Sequence, residues 1–451
     1  MRKIIFLFNV LVFTTANLFA QTINLEQVRT LALANSKSLA KGNIALQSIA
    51  LDERSRIFSN LPSLSLDASA SMGLWSADNA APINNPLDTI SAKANFSVSQ
   101  KIFDGCKSSI QKAINGIASE TARKDALAVY YSVLDSADNA YYAILEASAV
   151  LEAEEVSLQS AATSLTMAKL RYENGIINQS DYFQALAEKE TRENSRNQAR
   201  RNLSLAITKL KAITGLNAIP QPEAINFSVY EDLIQHLGNI SDADADSLNS
   251  RFWEIIAAAN PSLSTARLAR EQAQESLRMA KTAYSPVVSA SFSTGLNYKN
   301  NGKIEQSGGA VSLSAGIPLD FWVINNNVQK SKIAKDTAAM DYESSEINIA
   351  TDLQSSLLNS FSYAGSVLSS RRSLEYAEKN FQYVSERYRL TQSSVTDLNN
   401  ASSLLITSRN NYINSQYGFL QSLSKLRSLA AEENEAALIK ILMGGAAIAH
   451  E

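Results

Sequence analysis

The sequence predicts a mainly α-helical fold with a smaller β part, in which long antiparallel coiled-coil helices join β-hairpins. Three observations support this prediction. Proline, which costs about 3 kcal/mol inside a helix, is absent from 106–172 and 325–388. Hydrophobic residues in both stretches recur at steps of seven, the spacing of a coiled-coil seam. Four other segments alternate strictly between apolar and polar residues, which is typical of β-strands.

Residues 1–20 have the features of a secretory signal peptide. Arg2 and Lys3 precede an apolar run at 4–13, and 18–20 is an acceptable cleavage site. The run is too short to span a bilayer comfortably, which disfavours a membrane anchor. We therefore expect an exported mature chain.

The first half of the mature chain, 21–216, is predicted to contain two long helices and a hairpin. Asn35 resembles an N-cap, a residue whose side chain accepts from the first free N–H groups of a helix. In order, the predicted elements are the helix 36–59, the strands 63–75 and 91–102 of the hairpin 63–103, the long helix 106–172 and the returning helix 180–215.

The second half, 251–431, follows an equatorial linker at 217–250 and repeats this order of elements. Asn260 resembles an N-cap and Pro261 occupies the first helical position, where proline is tolerated. In order, the predicted elements are the helix 261–284, the strands 287–299 and 310–319 of the hairpin 287–319 with the loop 300–307, the long helix 325–388, the returning helix 396–431 and a mobile tail at 432–451.

The coiled-coil seam is a sequence feature of both long helices. Small residues, among them Ala161, Ala168 and Ala377, accompany the larger ones at the complementary position, which favours close packing. The larger residues at steps of seven are Ile144, Leu151, Leu158, Leu165 and Tyr172 in the first helix and Val367, Leu374, Phe381 and Tyr388 in the second.

The four strands have about the length that a tilted strand needs to cross a bilayer. Their polar positions are mostly Ser, Asn, Lys and Gly, which suits a wet lumen. A half-buried sheet of a soluble domain is the alternative. Four strands cannot close a membrane barrel, because an open edge is not tolerated in lipid. Two, three or four chains would supply eight, twelve or sixteen strands, and periodicity does not choose among these numbers.

The two halves also share residues at a constant offset. Arg171 and Tyr172 recur 216 positions later as Arg387 and Tyr388, and Asp181 recurs as Asp397. A two-fold tandem repeat is typical of symmetric assemblies built from one supersecondary unit.

Composition excludes several classes of function. A single cysteine, Cys106, excludes a disulfide scaffold, and two distant histidines, His236 and His450, disfavour a metal centre. The acidic segment 242–246 lacks the glycine and glutamate of a calcium loop, so we interpret it as a loop that caps the next helix. A net charge of −3 disfavours a nucleic-acid binder. We expect no metal, no cofactor and no enzymatic activity.

Several segments resemble the TolC-like outer-membrane efflux protein family. They are LEQV at 25–28, ALANS at 32–36, QKIFDG at 100–105, RYENGIINQSD at 171–181 and NPSL at 260–263. The segment 171–181 is the most specific of them, and the resemblance covers about 22–431. It implies a homotrimer in which a 12-helix α-barrel tunnel in the periplasm joins one 12-stranded transmembrane β-barrel, with four strands from each chain.

The resemblance also implies roles for the turns 173–180 and 389–396, which are expected at the end of the long helices. A Tyr, an Arg and two Asp residues of the second repeat control the closed aperture in the family. Tyr388 and Asp397 match the Tyr and the first Asp, whereas Ser393 and Asn400 replace the other two. Asp181 and Asp397 also stand where the returning helices need an N-cap. In the assembly, three copies of Asp397 would form an acidic ring. Residues expected to contact a periplasmic adaptor are Arg171, Tyr172, Gly175, Ser180, Asp181, Arg387 and Thr391, the last replacing a glycine of the family.

The expected function is a passive exit duct in the cell outer membrane. It would serve an inner-membrane transporter through a periplasmic adaptor, as in drug efflux, metal efflux or type I secretion. The alternative is a secreted coiled-coil binding or adaptor protein without a membrane barrel.

Overall fold

The computed structural model describes residues 22–72, 75–76, 81–82, 89–299 and 303–444. The predicted signal peptide at 1–20 lies outside these residues, as does the end of the predicted tail. The chain forms two compact units. The first comprises Met1–Ser36, Tyr131–Phe252 and Gln354–Glu451, and the second comprises Lys37–Tyr130 and Trp253–Leu353. Each unit combines residues from both halves of the sequence.

Long helices dominate the described residues, as the scarcity of proline predicts. None of them combines the length and hydropathy that a membrane-spanning helix requires. In chain order they are α1 (Leu25–Asn35), α2 (Lys37–Phe58), α3 (Lys107–Glu173), α4 (Gln179–Thr214), α5 (Glu231–Gly238), α6 (Asp242–Ala259), α7 (Pro261–Lys281), α8 (Phe321–Arg389), α9 (Val395–Ala430) and α10 (Glu435–Leu442).

The described strands belong to the second unit: β1 (Ser63–Ser71), β2 (Trp75–Ser76), β3 (Ala81–Pro82), β4 (Ser91–Phe103), β5 (Val287–Lys299) and β6 (Lys303–Gly316). Four of them form one antiparallel sheet in the order β1-β4-β5-β6, and the short strands β2 and β3 pair with each other.

Three predicted strand boundaries are wrong. The first strand ends at Ser71 rather than at 75. The fourth runs over Lys303–Gly316 rather than 310–319, and its first residue is paired with Lys299, so the predicted loop 300–307 is too long. In the sheet, a Cβ at Gly309 would lie 3.1 Å from the Phe292 ring, so this glycine serves close packing between strands.

Period-2 alternation gives the sheet one apolar and one polar face. Leu66 is paired with Phe96 and Phe292 with Val311. On the other face, the hydroxyls of cross-strand serine pairs lie 2.7 Å apart, as in Ser65–Ser97 and Ser291–Ser312. The apolar face is uncovered: Leu66 is 75% exposed and Val311 is 83% exposed. A monomer in water rarely leaves such a face open.

Helix α7 of the second unit begins where the sequence predicts, directly after Asn260. Its side chain accepts from the Leu263 N–H at 3.0 Å, and Pro261 is the first helical residue of α7. This N-cap prediction is confirmed. A short 3₁₀ turn, Thr282–Tyr284, follows α7 and leads into β5.

The N-cap prediction for Asn35 is wrong. Asn35 is the last residue of α1, and its amide donates to the carbonyl oxygens of Ala212 and Ile213 at the end of α4. The helix that Asn35 was predicted to cap is α2, which begins at Lys37. The preceding helix, α1, is capped by Asn24, whose side chain accepts from the Gln27 N–H at 2.9 Å. Asn35 thus satisfies the free carbonyl groups of another helix.

Two segments of the first unit contain more helix than predicted. The linker 217–250 holds a 3₁₀ turn, Phe227–Tyr230, then α5 and the start of α6. The acidic segment 242–246 lies in the first turns of α6 and is not a loop. The tail 432–451 contains α10, whose Leu438 and Leu442 are buried. Short helices of this kind are stabilised by tertiary packing more than by local propensity.

A buried ionic cluster joins three helices of the first unit. Asp138 of α3 accepts from Arg29 of α1 at 2.6 and 2.9 Å and from Arg427 of α9 at 2.5 Å. Ser424 adds a hydroxyl hydrogen bond at 3.1 Å. Two buried cations therefore depend on one buried carboxylate.

We predict that Asp138→Asn destabilises the folded protein by about 3–5 kcal/mol, because the buried Arg427 would lose its carboxylate partner and the buried Arg29 would keep only the exposed Glu26. The measurement is the free energy of unfolding in urea. Glu26→Gln is the matched control, since Glu26 pairs with the same Arg29 but is 76% exposed, and exposed pairs contribute little. Equal effects of the two substitutions would contradict the prediction.

Candidate functional site: the paired helix–helix turns

The first turn joins α3 to α4 and closes with two backbone hydrogen bonds. The Ile176 N–H donates to Arg171 O at 2.8 Å, and the Gly175 N–H donates to Tyr172 O at 3.0 Å. Gly175 has φ +70°. This is the Schellman arrangement, in which a left-handed residue ends a helix. The positive φ explains why a glycine occupies this position.

The second turn joins α8 to α9 with the same pattern. The Gln392 N–H donates to Arg387 O at 2.8 Å, and the Thr391 N–H donates to Tyr388 O at 3.0 Å. Thr391 occupies the position of Gly175 and has φ +63°. A β-branched residue is strained there, because its Cβ crowds the backbone in the left-handed region.

The returning helices begin at caps that the sequence interpretation misplaced. Asn178 accepts from the Asp181 N–H at 2.8 Å, and Ser394 accepts from the Asp397 N–H at 3.0 Å. Asp181 and Asp397 are therefore the third helical residues and not the caps. Ser180 lies exposed in the same first turn of α4.

Asp397 completes a reciprocal capping box with Ser394. Its carboxylate accepts from the Ser394 N–H at 3.0 Å and from the Ser393 hydroxyl at 3.4 Å. The hydrogen bond from the Ser394 backbone N–H is the main reason that the pKa of Asp397 lies below its ordinary value. Asn400 is exposed further along α9. The predicted aperture residues Ser393 and Asp397 are thus in contact within one chain.

Tyr388 is the centre of a small apolar cluster beside both turns. It is 1% exposed, and burial raises the pKa of its hydroxyl. Within the described part of the chain, that hydroxyl makes no hydrogen bond, although the Arg171 guanidinium lies close enough to oppose part of the rise in its pKa. The other buried members of the cluster are Ala168, Ala185, Val395 and Leu398.

Arg171 links the two turns. Its guanidinium donates to Tyr388 O at 2.6 Å and to Arg389 O at 3.3 Å, and its central carbon lies 4.3 Å from the centre of the Tyr388 ring. The first contacts place a cation at the carbonyl end of α8, where the helix dipole favours positive charge. The last is a cation–π contact.

The corresponding residues of the two repeats make different contacts. Arg387 donates to Gln392 O of its own turn at 2.9 Å. Tyr172, the counterpart of the buried Tyr388, is partly exposed and stacks on Tyr182 with ring centres 5.3 Å apart. The tandem repeat of the sequence therefore does not extend to the side-chain contacts.

Sequence reasoning missed two further links between α4 and α9. Arg192 is buried in α4, pairs with Glu188 at 2.6 Å and donates to Ser403 of α9 at 2.7 Å. Thr396 donates to Gln184 at 2.8 Å. A signal for Arg192 existed, because it stands at a seven-residue spacing among the buried alanines 185, 199 and 206.

We predict opposite effects for substitutions at the two left-handed positions. Thr391→Gly should stabilise the protein and Gly175→Ala should destabilise it, each by about 1 kcal/mol, because only glycine adopts positive φ without strain. A Cβ at Gly175 would meet no other atom within 4 Å, so its effect reports the backbone alone. Thermal unfolding midpoints in detergent measure both changes. A lower midpoint for Thr391→Gly would contradict the prediction.

Comparison with known proteins identifies the family of this chain. The family model for outer membrane efflux proteins matches residues 28–216 and 254–432. Outer membrane protein TolC of Escherichia coli is 23% identical over 398 residues, which are 84% of this chain and 76% of that relative.

Two solved structures show the same fold. The outer membrane protein VceC of Vibrio cholerae has 17% sequence identity and a TM-score of 0.73, over 90% of this chain and 96% of that one. The outer membrane channel CmeC of Campylobacter jejuni has 18% identity and a TM-score of 0.73, over 94% and 90%. The predicted resemblance is confirmed: the chain belongs to the outer membrane efflux protein family and is an efflux channel protein of the cell outer membrane.

Proposed function

We propose that this protein is the exit duct of a tripartite export system. Three copies would share one 12-stranded transmembrane barrel and a 12-helix tunnel, and cargo would pass through passively. The observation that carries the proposal is the open sheet. Among the described residues, β1 and β6 each pair along one edge only, and the apolar face of the sheet is uncovered.

Both features are costly for a lone chain and useful in an assembly. Unpaired backbone groups in lipid cost several kcal/mol each, so membrane sheets must close. Pairing β6 of one copy with β1 of the next would remove every edge. The uncovered apolar face would then contact lipid, and the serine-rich face would line a wet lumen. Trp322, which is 75% exposed just after the sheet, suits a membrane–water boundary.

The paired turns are the proposed docking site for a periplasmic adaptor, which would connect the duct to an inner-membrane transporter. Large apolar side chains are exposed on and beside both turns: Leu170, Ile176, Phe183, Tyr383 and Leu390. The other residues proposed to contribute to the same surface, most of them polar, are Arg171, Tyr172, Gly175, Ser180, Asp181, Arg387 and Thr391. Apolar anchors surrounded by polar residues are typical of protein interfaces.

The family assignment favours this proposal over the alternative of a secreted coiled-coil adaptor without a barrel. The two differ in location, and the family is one of outer membrane efflux proteins.

We predict that protein extracted from outer-membrane fractions inserts into planar lipid bilayers and produces discrete conductance steps. In gels, unheated samples should migrate as a detergent-resistant oligomer and boiled samples as a single chain. A protein that remains a soluble monomer and leaves the bilayer silent would contradict the proposed function.

We further propose that three copies of Asp397 form an acidic ring at the aperture. The ring would favour cations. Asp397→Ala should therefore lower the cation-to-anion permeability ratio, whereas Asp181→Ala, the third helical residue of the other repeat, should leave it nearly unchanged. Because Ser393 and Asn400 replace the charged residues of the family pattern, we also expect weak block by multivalent cations. Reversal potentials in asymmetric salt measure the ratio. An unchanged ratio in Asp397→Ala would exclude the ring.

A further inference from the structure

We propose that Arg171 is the positioning residue of the aperture, and that Tyr388 acts there through its ring and its main-chain carbonyl rather than through its hydroxyl. This inference rests on the proposed function. It assigns Arg171 a role inside the chain, in addition to the surface that it offers to an adaptor.

The contacts of Arg171 make it a clamp between the two repeats. Its guanidinium reaches from the last turn of α3 to the carbonyl groups of Tyr388 and Arg389, at 2.6 and 3.3 Å. Hydrogen bonds from a charged donor are about twice as strong as neutral ones. The same group covers the Tyr388 ring at 4.3 Å. Any displacement of the second turn from the first must break all three contacts together.

The Tyr388 hydroxyl is poorly placed to hold the aperture closed by a hydrogen bond to a neighbouring copy. It is buried inside one chain and makes no hydrogen bond among the described residues, and the nearby Arg171 guanidinium only partly offsets the rise in its pKa that burial causes. A neighbouring copy could not reach it without first opening the cluster formed with Ala168, Ala185, Val395 and Leu398. What the burial of Tyr388 does provide is a fixed ring and a fixed carbonyl, which are the two groups that Arg171 contacts.

The tandem repeat supplies an internal comparison. Arg387 stands at the position of Arg171 in the second repeat, yet it donates within its own turn, to Gln392 O at 2.9 Å. Its guanidinium lies 5.8 Å from the Tyr383 ring, within the same helix α8. Loss of Arg387 would loosen one turn, whereas loss of Arg171 would separate two.

A second polar link beside the turns, between α9 and α4, is weaker than the contacts of Arg171. Thr396 of α9 donates to Gln184 of α4 at 2.8 Å, and both residues are exposed. A hydrogen bond between two neutral, solvated side chains contributes little. Of the polar contacts described between the two turns, those of Arg171 are therefore the strongest.

The experiment records single-channel currents of the purified wild-type protein and four variants in planar bilayers. Arg171→Ala removes the clamp, and Arg171→Lys keeps the charge but loses the planar fork and the stacking. Lys169→Ala is the matched control, because Lys169 is a 61% exposed cation of the same helix whose ion pair is with Glu173 of that helix. Tyr388→Phe removes only the hydroxyl. Thermal midpoints, measured in parallel, separate loss of stability from loss of positioning.

We expect Arg171→Ala to raise the frequency of opening transitions at least tenfold, equivalent to about 1.4 kcal/mol. Arg171→Lys should be intermediate. The opening frequencies of Lys169→Ala and Tyr388→Phe should stay within about twofold of wild type. If Arg171→Ala fails to assemble, Arg171→Lys decides: a raised frequency supports the proposal and an unchanged one overturns it.

Two other results would overturn the proposal. One is a conducting wild type whose gating Arg171→Ala leaves unchanged, which would leave the proposed function intact. The other is a Tyr388→Phe channel that opens far more often than Arg171→Ala. That result would show that the hydroxyl, and not Arg171, keeps the aperture closed. A silent wild type would contradict the proposed function itself, and this inference with it.

Discussion

The unpaired edges of the four-stranded sheet are the constraint on which the rest of the structure depends. In lipid, every backbone N–H and C=O must be paired, and β1 and β6 each leave one row without a partner among the described residues. The uncovered apolar face also requires a partner or lipid, because its side chains would otherwise be exposed to water. Both needs are met when several chains share one sheet, so the chain is best understood as one part of a larger pore.

The first unit shows how its helices are held in register. Small residues let them approach closely: Ala168 and Ala377 are buried at positions of the seven-residue pattern. Charged groups at a few points then fix the register, as single polar residues do in coiled coils. Asp138 holds two buried arginines, and Arg192 replaces an alanine in the seam of α4. Apolar contacts can re-form when one helix slides along another, whereas these ion pairs form only in one alignment of the helices.

Much of the fold could be predicted from the sequence, because the long helices and strands repeat one pattern over many residues. The long helix predicted over 106–172 runs over Lys107–Glu173. Short elements escaped prediction, because helices such as α5 and α10 form where tertiary contacts bury a few leucines. The caps near Asp181 and Asp397 were misplaced by three residues, because Asn178 and Ser394 are equally good capping residues.

The site was harder to predict than the fold. The paired Arg–Tyr dipeptides located both turns, but equal sequence does not imply equal contacts. Arg171 crosses to the other repeat and Arg387 does not. That difference depends on which helix lies beside each arginine, and neither composition nor periodicity contains this information.

The stoichiometry of the membrane-extracted protein tests the central claim most directly. Native mass spectrometry of the protein released from detergent micelles counts the chains in one particle. We predict three copies, which would supply twelve strands and leave no open edge. A particle of one chain, stable in the membrane fraction, would contradict it.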